Sequence, residues 1–134
     1  MTARFGRFIT AGLGWVLRQE NDLDGAWDRF ETALRLSRRQ VAPYGIAESS
    51  LGLACVAGDL ADWDRAATLH GTAQARIERA GQPWQEPEAD SRRDSLHKVR
   101  TALGEEQFER AYAKGKMLSL DQALDLASGR TGPA

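Results

Sequence analysis

The order of apolar and polar residues predicts a chain built of helices. Apolar positions recur three and four residues apart, which is the spacing of an α-helix, and the alternation typical of strands is almost absent. The pattern indicates about seven helices, near residues 5–17, 23–41, 44–57, 61–80, 88–103, 105–114 and 119–127. The predicted fold class is therefore all-α.

The apolar stripes of the first two helices predict which of their sides are buried. The first stripe consists of Phe5, Phe8, Ile9, Leu13, Val16 and Leu17, and the second of Leu23, Ala26, Trp27, Phe30, Leu34, Ser37 and Val41. In the second helix the small residues Ala26 and Ala33 flank the large Phe30. We expect this alternation of sizes to let two helices approach closely.

Glycine and proline divide the chain into segments. The stretch "GQPWQEP" is the one clear linker, and the terminal "GRTGPA" is typical of a frayed tail. We therefore predict two helical hairpins in residues 1–80, a linker at 81–87, C-terminal capping helices at 88–128 and a disordered tail at 129–134.

An internal repeat supports the hairpin organisation. Matching positions recur 37 to 40 residues apart: Leu13-Gly14 as Leu51-Gly52, Asp22-Leu23 as Asp59-Leu60, Ala26 as Ala66 and Ala33 as Ala73. A period of this length is typical of stacked helical hairpins.

The first copy resembles a tetratricopeptide repeat. The residues that match the motif are Leu13, Gly14, Leu17, Ala26, Phe30 and Ala33. Thr10 and Arg38 replace the usual aromatic residue and closing proline, and the second copy has His70 in place of Phe30. The resemblance implies a right-handed stack whose concave surface is lined by the first helix of each hairpin and binds a protein, a peptide or a small effector.

The second half resembles one group of bacterial regulators. "RAATLHGTAQARIERAG" and "LGEEQFERAYAKGKMLSLDQAL" are similar to the C-terminal helices of LuxR-type and SARP-type signal-transduction ATPases of actinobacteria. The resemblance covers residues 51–127 and implies a non-catalytic sensor or protein-interaction segment of a multidomain transcriptional regulator. It would contact the other domains of its parent protein, and the ATPase and DNA-binding modules would lie outside this chain. A free-standing tetratricopeptide adaptor that binds a peptide or protein partner is the alternative.

Composition narrows the function classes. The chain has 134 residues, a net charge of −1 and one cysteine, Cys55. The low charge disfavours direct binding to nucleic acid or an anionic membrane, and a single cysteine excludes an internal disulfide. The apolar stretch near Met1 has no cleavage site of the usual kind and no run has the length of a membrane span, so we expect a cytoplasmic protein.

The residue types that usually carry chemistry are scattered. His70, His97 and Cys55 have no partners at ligand or catalytic spacing. We expect His70 in the interior or in a groove, Cys55 in the interior and His97 in water. The sequence therefore predicts no enzyme, no catalytic residue, no cofactor and no metal.

One side of the first helix is the predicted partner site. Trp15 lies about 100° from the centre of the apolar stripe, as a period of 3.6 residues requires. It shares this side with Phe8, Arg18 and Gln19, which together would contact the partner. Contact of Trp15 with an upstream repeat is the equally weighted alternative. Exposed end faces of the stack also predict self-association as a homodimer.

Overall fold

The computed structural model describes the backbone of residues 3–129 and the side chains of residues 9–129. The side chains of Phe5 and Phe8, and the predicted tail beyond Gly129, lie outside the described residues. Residues 3–129 contain no strand, and their seven α-helices are α1 (Ala3–Gln19), α2 (Leu23–Arg39), α3 (Pro43–Asp59), α4 (Trp63–Ala80), α5 (Glu88–Leu103), α6 (Glu105–Lys116) and α7 (Leu120–Ser128). The prediction of an all-α fold of about seven helices is confirmed.

The helices form stacked hairpins. Hairpin 1 consists of α1 and α2, hairpin 2 consists of α3 and α4, and the two meet mainly where α2 packs against α3. Helix α6 packs along α4, and α5 lies against both α3 and α4. Helix α7 reaches back to α2, where the indole Nε1 of Trp27 donates to the carbonyl oxygen of Ala127 at 3.3 Å.

Local signals set the helix ends. The Asp22 side chain caps α2 by accepting from the backbone N–H of Gly25, and Pro43 occupies the first turn of α3. Ser119 and Gln122 form the capping box that the sequence indicates for α7. Each signal supplies partners for backbone groups that a helix terminus leaves unpaired, or removes a donor that has none.

The core confirms the alternation of small and large residues in α2. Ala26, Phe30 and Ala33 are all fully buried. The Phe30 ring lies against two glycines, since a Cβ atom at Gly14 would come within 2.9 Å of it and one at Gly52 within 2.3 Å. The large ring thus fits between the backbones of α1 and α3.

The prediction for the buried side of α1 is wrong over its middle part. Ile9, Leu13 and Val16 are exposed by 57%, 42% and 47%, whereas Ala11 and Gly14 are buried. The small residues face inward because they let α1 approach Phe30. The periodicity of large apolar residues carries no information on whether another helix covers them. We call Ile9, Leu13 and Val16 the α1 row.

Val41 also departs from its predicted place in the α2 stripe. It lies in the α2–α3 turn, is 78% exposed and has a φ of 49°. Asn21 and Ala61 hold equivalent places in the α1–α2 and α3–α4 turns, with φ of 64° and 61°. In all three turns the next residue donates to a carbonyl five residues back, as Ala42 does to Ser37 at 3.0 Å. This turn takes Val41 out of the helix.

We predict that Val41→Asn stabilises the protein. The left-handed conformation is unfavourable for a β-branched residue and tolerated by asparagine, which already occupies it at position 21. Little apolar burial is lost because Val41 is exposed. The free energy of unfolding in urea should rise by about 1 kcal/mol. An unchanged or lower stability would show that the backbone of Val41 is not strained in this turn.

Candidate functional site

Three of the four predicted partner residues, Trp15, Arg18 and Gln19, lie on the side of α1 that faces α3 and Lys98 of α5. Phe8 cannot be placed, because its side chain lies outside the described residues. Gln19 is exposed, whereas Trp15 and Arg18 are half-buried and contact α3. The structure therefore brings Trp15 and Arg18 into the junction between the hairpins. Whether these residues bind a partner stays a prediction.

Trp15 connects hairpin 1 to hairpin 2. Its ring meets that of Phe30 edge to face, with centroids 4.8 Å apart, and packs against the buried cluster of Leu51, Cys55 and Ala73. Its indole Nε1 donates to Glu48 Oε2 at 3.2 Å. A buried tryptophan normally satisfies its polar end in this way.

Arg18 closes one end of the same face. Its Nε lies 2.6 Å from Asp59 Oδ2, and Lys98 Nζ of α5 lies 3.4 Å from Asp59 Oδ1. Gln19 and Asn21 join these residues in lining a cavity of about 360 Å³. Asp94 of α5 adds a second negative charge near Arg18. Asp59 forms ion pairs with both Arg18 and Lys98, so it links α1 and α5 to the end of α3.

Two carboxyl groups meet at the other end of this face. Glu48 of α3 lies near Glu88, the first residue of α5, and Glu88 Oε2 is buried without a hydrogen-bond partner. Burial raises the pKa of Glu48 to about 7, and the adjacent Glu88 carboxyl acts in the same direction. Sequence reasoning missed this pair because each residue alone has the appearance of a surface charge.

The histidine and cysteine between these two ends are buried, as the sequence predicts. His70 Nε2 lies 2.8 Å from Ser95 Oγ, and the Cys55 thiol faces the carbonyl oxygen of Ser91 at 3.8 Å. Burial lowers the pKa of His70 to about 3 and raises that of Cys55 to about 11. Both groups are thus neutral and shielded from water. His97 is exposed, which also confirms its prediction.

A second cavity has no counterpart in the sequence predictions. It measures about 460 Å³ and lies between α4, α6 and α7. Its lining residues are Asp62, Asp64, Arg65, Thr68, Lys114, Leu118, Gln122, Asp125 and Leu126. Three of the lining side chains are acidic and two are basic, so their charge does not select one class of ligand. Three helices contribute to it, and no local spacing could have revealed it.

Searches for metal-binding clusters, membrane-spanning helices and similar proteins add no functional assignment. Residues 3–129 hold no cluster of three or more His, Cys, Asp or Glu side chains that could bind a metal ion. Over the described part of the chain, every helix is too short or too polar to cross a bilayer. Comparison with protein-family models, curated proteins and solved structures finds no significant match to this chain.

Proposed function

We propose that the chain is a non-catalytic, tetratricopeptide-like segment that senses or binds another protein. Its setting would be a cytoplasmic, multidomain bacterial transcriptional regulator of the LuxR or SARP type. The likeness of "LGEEQFERAYAKGKMLSLDQAL" to the C-terminal helices of those regulators supports this setting. In such a protein, binding at this segment would bias a nucleotide switch located elsewhere.

The observation that carries the proposal is a difference in exposure. The α1 row is exposed, whereas the equivalent residues of the second repeat are buried. The residues 38 positions after the row are Ala47, Leu51 and Ala54 of α3, and all three are fully buried. Leu51 is covered by Trp15 from hairpin 1 and by Trp84 from the linker. The same positions in α1 stay exposed, which favours a further helical element as their cover.

The interior polar groups favour binding over catalysis. His70 and Cys55 are buried and uncharged, and neither lines the two cavities described above. A nucleophile needs an accessible, activated atom and a nearby base. We therefore assign no reaction to this segment.

Selection from a phage-displayed library of amphipathic helical peptides tests the binding surface. We expect selected peptides whose affinity, measured by fluorescence anisotropy, falls at least about tenfold with Leu13→Asp, because that carboxylate would be buried without a partner. Leu60→Asp is the matched control, since Leu60 is similarly exposed (39% against 42%) but lies in the α3–α4 turn. It should leave the affinity unchanged, and both variants should melt like the wild type.

Two results would contradict parts of this proposal. Peptides that bind Leu13→Asp as tightly as the wild type would remove the α1 row as the interaction surface. The reading frame of the gene tests the setting. A GxxxxGK[ST] phosphate loop upstream supports a regulator, whereas a native start at Met1 supports the free-standing adaptor.

A further inference from the structure

The exposed large apolar side chains of the helices lie on one side of α1. Inside α2–α7, whose side chains the structure describes in full, no large apolar side chain is exposed. Val41, Leu60 and Met117 are exposed, but each lies in a turn after a helix. At the far end of the stack α6 packs along α4. Among the described helices, the α1 row is therefore the one apolar surface that still needs a cover.

The α1 row and Gly12 form a pattern that complements itself when the helix direction is reversed. A period of 3.6 residues places Gly12 on the same side of α1 as the row. Gly12 is exposed, and a Cβ atom there would meet nothing within 4 Å. When a second α1 lies antiparallel over the first with Leu13 opposite Gly12, Ile9 comes opposite Val16. Each pairing then occurs twice, which is the property of a twofold contact.

The interior of the protein already uses this kind of contact. The ring of Phe30 lies against Gly14 of α1 and Gly52 of α3, where the missing side chains let the helices approach. In the antiparallel arrangement, Leu13 of one copy would fill the space in front of Gly12 of the other. The contact would thus join a large residue to a glycine, as between α2 and its two neighbours.

Charge favours the antiparallel direction. Glu20 follows the last residue of α1, is exposed, and donates its backbone N–H to the Val16 carbonyl oxygen, which continues the helical path. In the register above it lies opposite residue 5 of the other copy, within the first turn of that helix. This turn contains no acidic residue, and a helix N-terminus carries a partial positive charge. Each Glu20 would therefore face a complementary helix end.

We propose that the α1 row binds the α1 row of a second copy of this chain, antiparallel, in a twofold dimer. The dimer rests on the proposed function, because it takes the row as a binding surface and names the occupant. Both copies use the same surface, so assembly stops at two. The contact is small, and we expect a dissociation constant above about 1 µM. Below that concentration the row is free for a peptide.

Sedimentation velocity between about 5 µM and about 500 µM tests the dimer. The weight-average mass should rise from near 14.7 kDa towards twice that value and no further. Leu13→Asp should stay monomeric, because two carboxylates would meet near the axis without partners. Leu60→Asp is the matched control and should associate like the wild type, since Leu60 lies in the α3–α4 turn.

Gly12→Val separates this contact from unspecific apolar association. In the single chain its side chain enters open space, so circular dichroism and the melting temperature should show a retained fold. The variant makes the surface more apolar, yet it occupies the space that Leu13 of the second copy needs. The dissociation constant should therefore rise at least about tenfold, in the range for overpacked contacts. Unspecific association would become stronger instead.

Cysteine cross-linking tests the register. An equimolar mixture of Ile9→Cys and Val16→Cys should oxidise to a disulfide-linked dimer, because the two positions face each other and a disulfide needs Cα atoms within about 7 Å. Either variant alone should not, since its two new cysteines lie about 10 Å apart along the helix axis. The wild type, whose Cys55 is buried, gives the background.

Three results would overturn the dimer. They are a mass that stays near 14.7 kDa at the highest concentration, a Gly12→Val variant that associates as tightly as the wild type, and cross-linking that is no faster in the mixture. The peptide selection separates this failure from that of the proposed function. Peptides that bind the wild type but not Leu13→Asp would keep the row as a surface for another protein, even if the chain never dimerises.

Discussion

Gly71→Ala should lower the free energy of unfolding by about 3 kcal/mol or more, at or beyond the upper end for overpacked sites. A Cβ atom at Gly71 would lie 2.0 Å from the carbonyl oxygen of Tyr112, and one at Gly115 would lie 1.8 Å from that of Thr68. The obstacles are backbone atoms, so α4 and α6 must separate to admit a methyl group. Thr72 Oγ also donates to the Gly115 carbonyl oxygen at 2.9 Å, and separation would break this bond.

Urea unfolding of matched glycine variants tests this expectation. Gly12 lies in α1, and a Cβ atom there would meet nothing within 4 Å. Gly12→Ala should therefore stabilise the chain by about 1 kcal/mol through helix propensity alone. If Gly71→Ala were as stable as Gly12→Ala, the close contact of α4 with α6 would be refuted.

These glycines show what local patterns reveal and what they miss. Periodicity located all seven helices to within a few residues and identified the buried side of α2. It failed for α1, because Ile9 and Leu13 are apolar but uncovered, and for Val41, because the turn carries that residue out of the helix. Gly71 in α4 and Gly115 in α6 each weaken the helical pattern of the local sequence. They stabilise the fold by letting α4 and α6, which are distant in sequence, approach closely.

The candidate site was predictable only in part for the same reason. Helical periodicity puts Trp15 and Arg18 on one side of α1, and in the structure both side chains contact α3. Their partners Glu48 and Asp59 belong to another hairpin, and a local spacing carries no information about such pairs. The sequence therefore indicated a surface, whereas the structure shows a junction between hairpins.

Phe30→Ala should lower the free energy of unfolding by about 3–5 kcal/mol, the usual range for a fully buried aromatic residue. The ring contacts Trp15 and separates the backbones of α1 and α3 at Gly14 and Gly52. Its loss should leave a cavity between three helices, each held by its own turns and therefore unable to collapse fully. The measurement is urea unfolding, with the exposed Leu13→Ala as a control that should change little.

The strongest test of this packing is a double-mutant cycle between Phe30 and Gly52. In the wild type, Gly52→Ala places a methyl carbon 2.3 Å from Phe30 Cδ1 and should destabilise the protein by about 1–3 kcal/mol. In the Phe30→Ala background the same methyl enters vacated space and gains helix propensity, so it should be neutral or stabilising. The interaction energy should therefore exceed about 1 kcal/mol. Additive effects would mean that the ring and the α3 backbone do not share this space, and hairpin stacking through small and large residues would lose its basis.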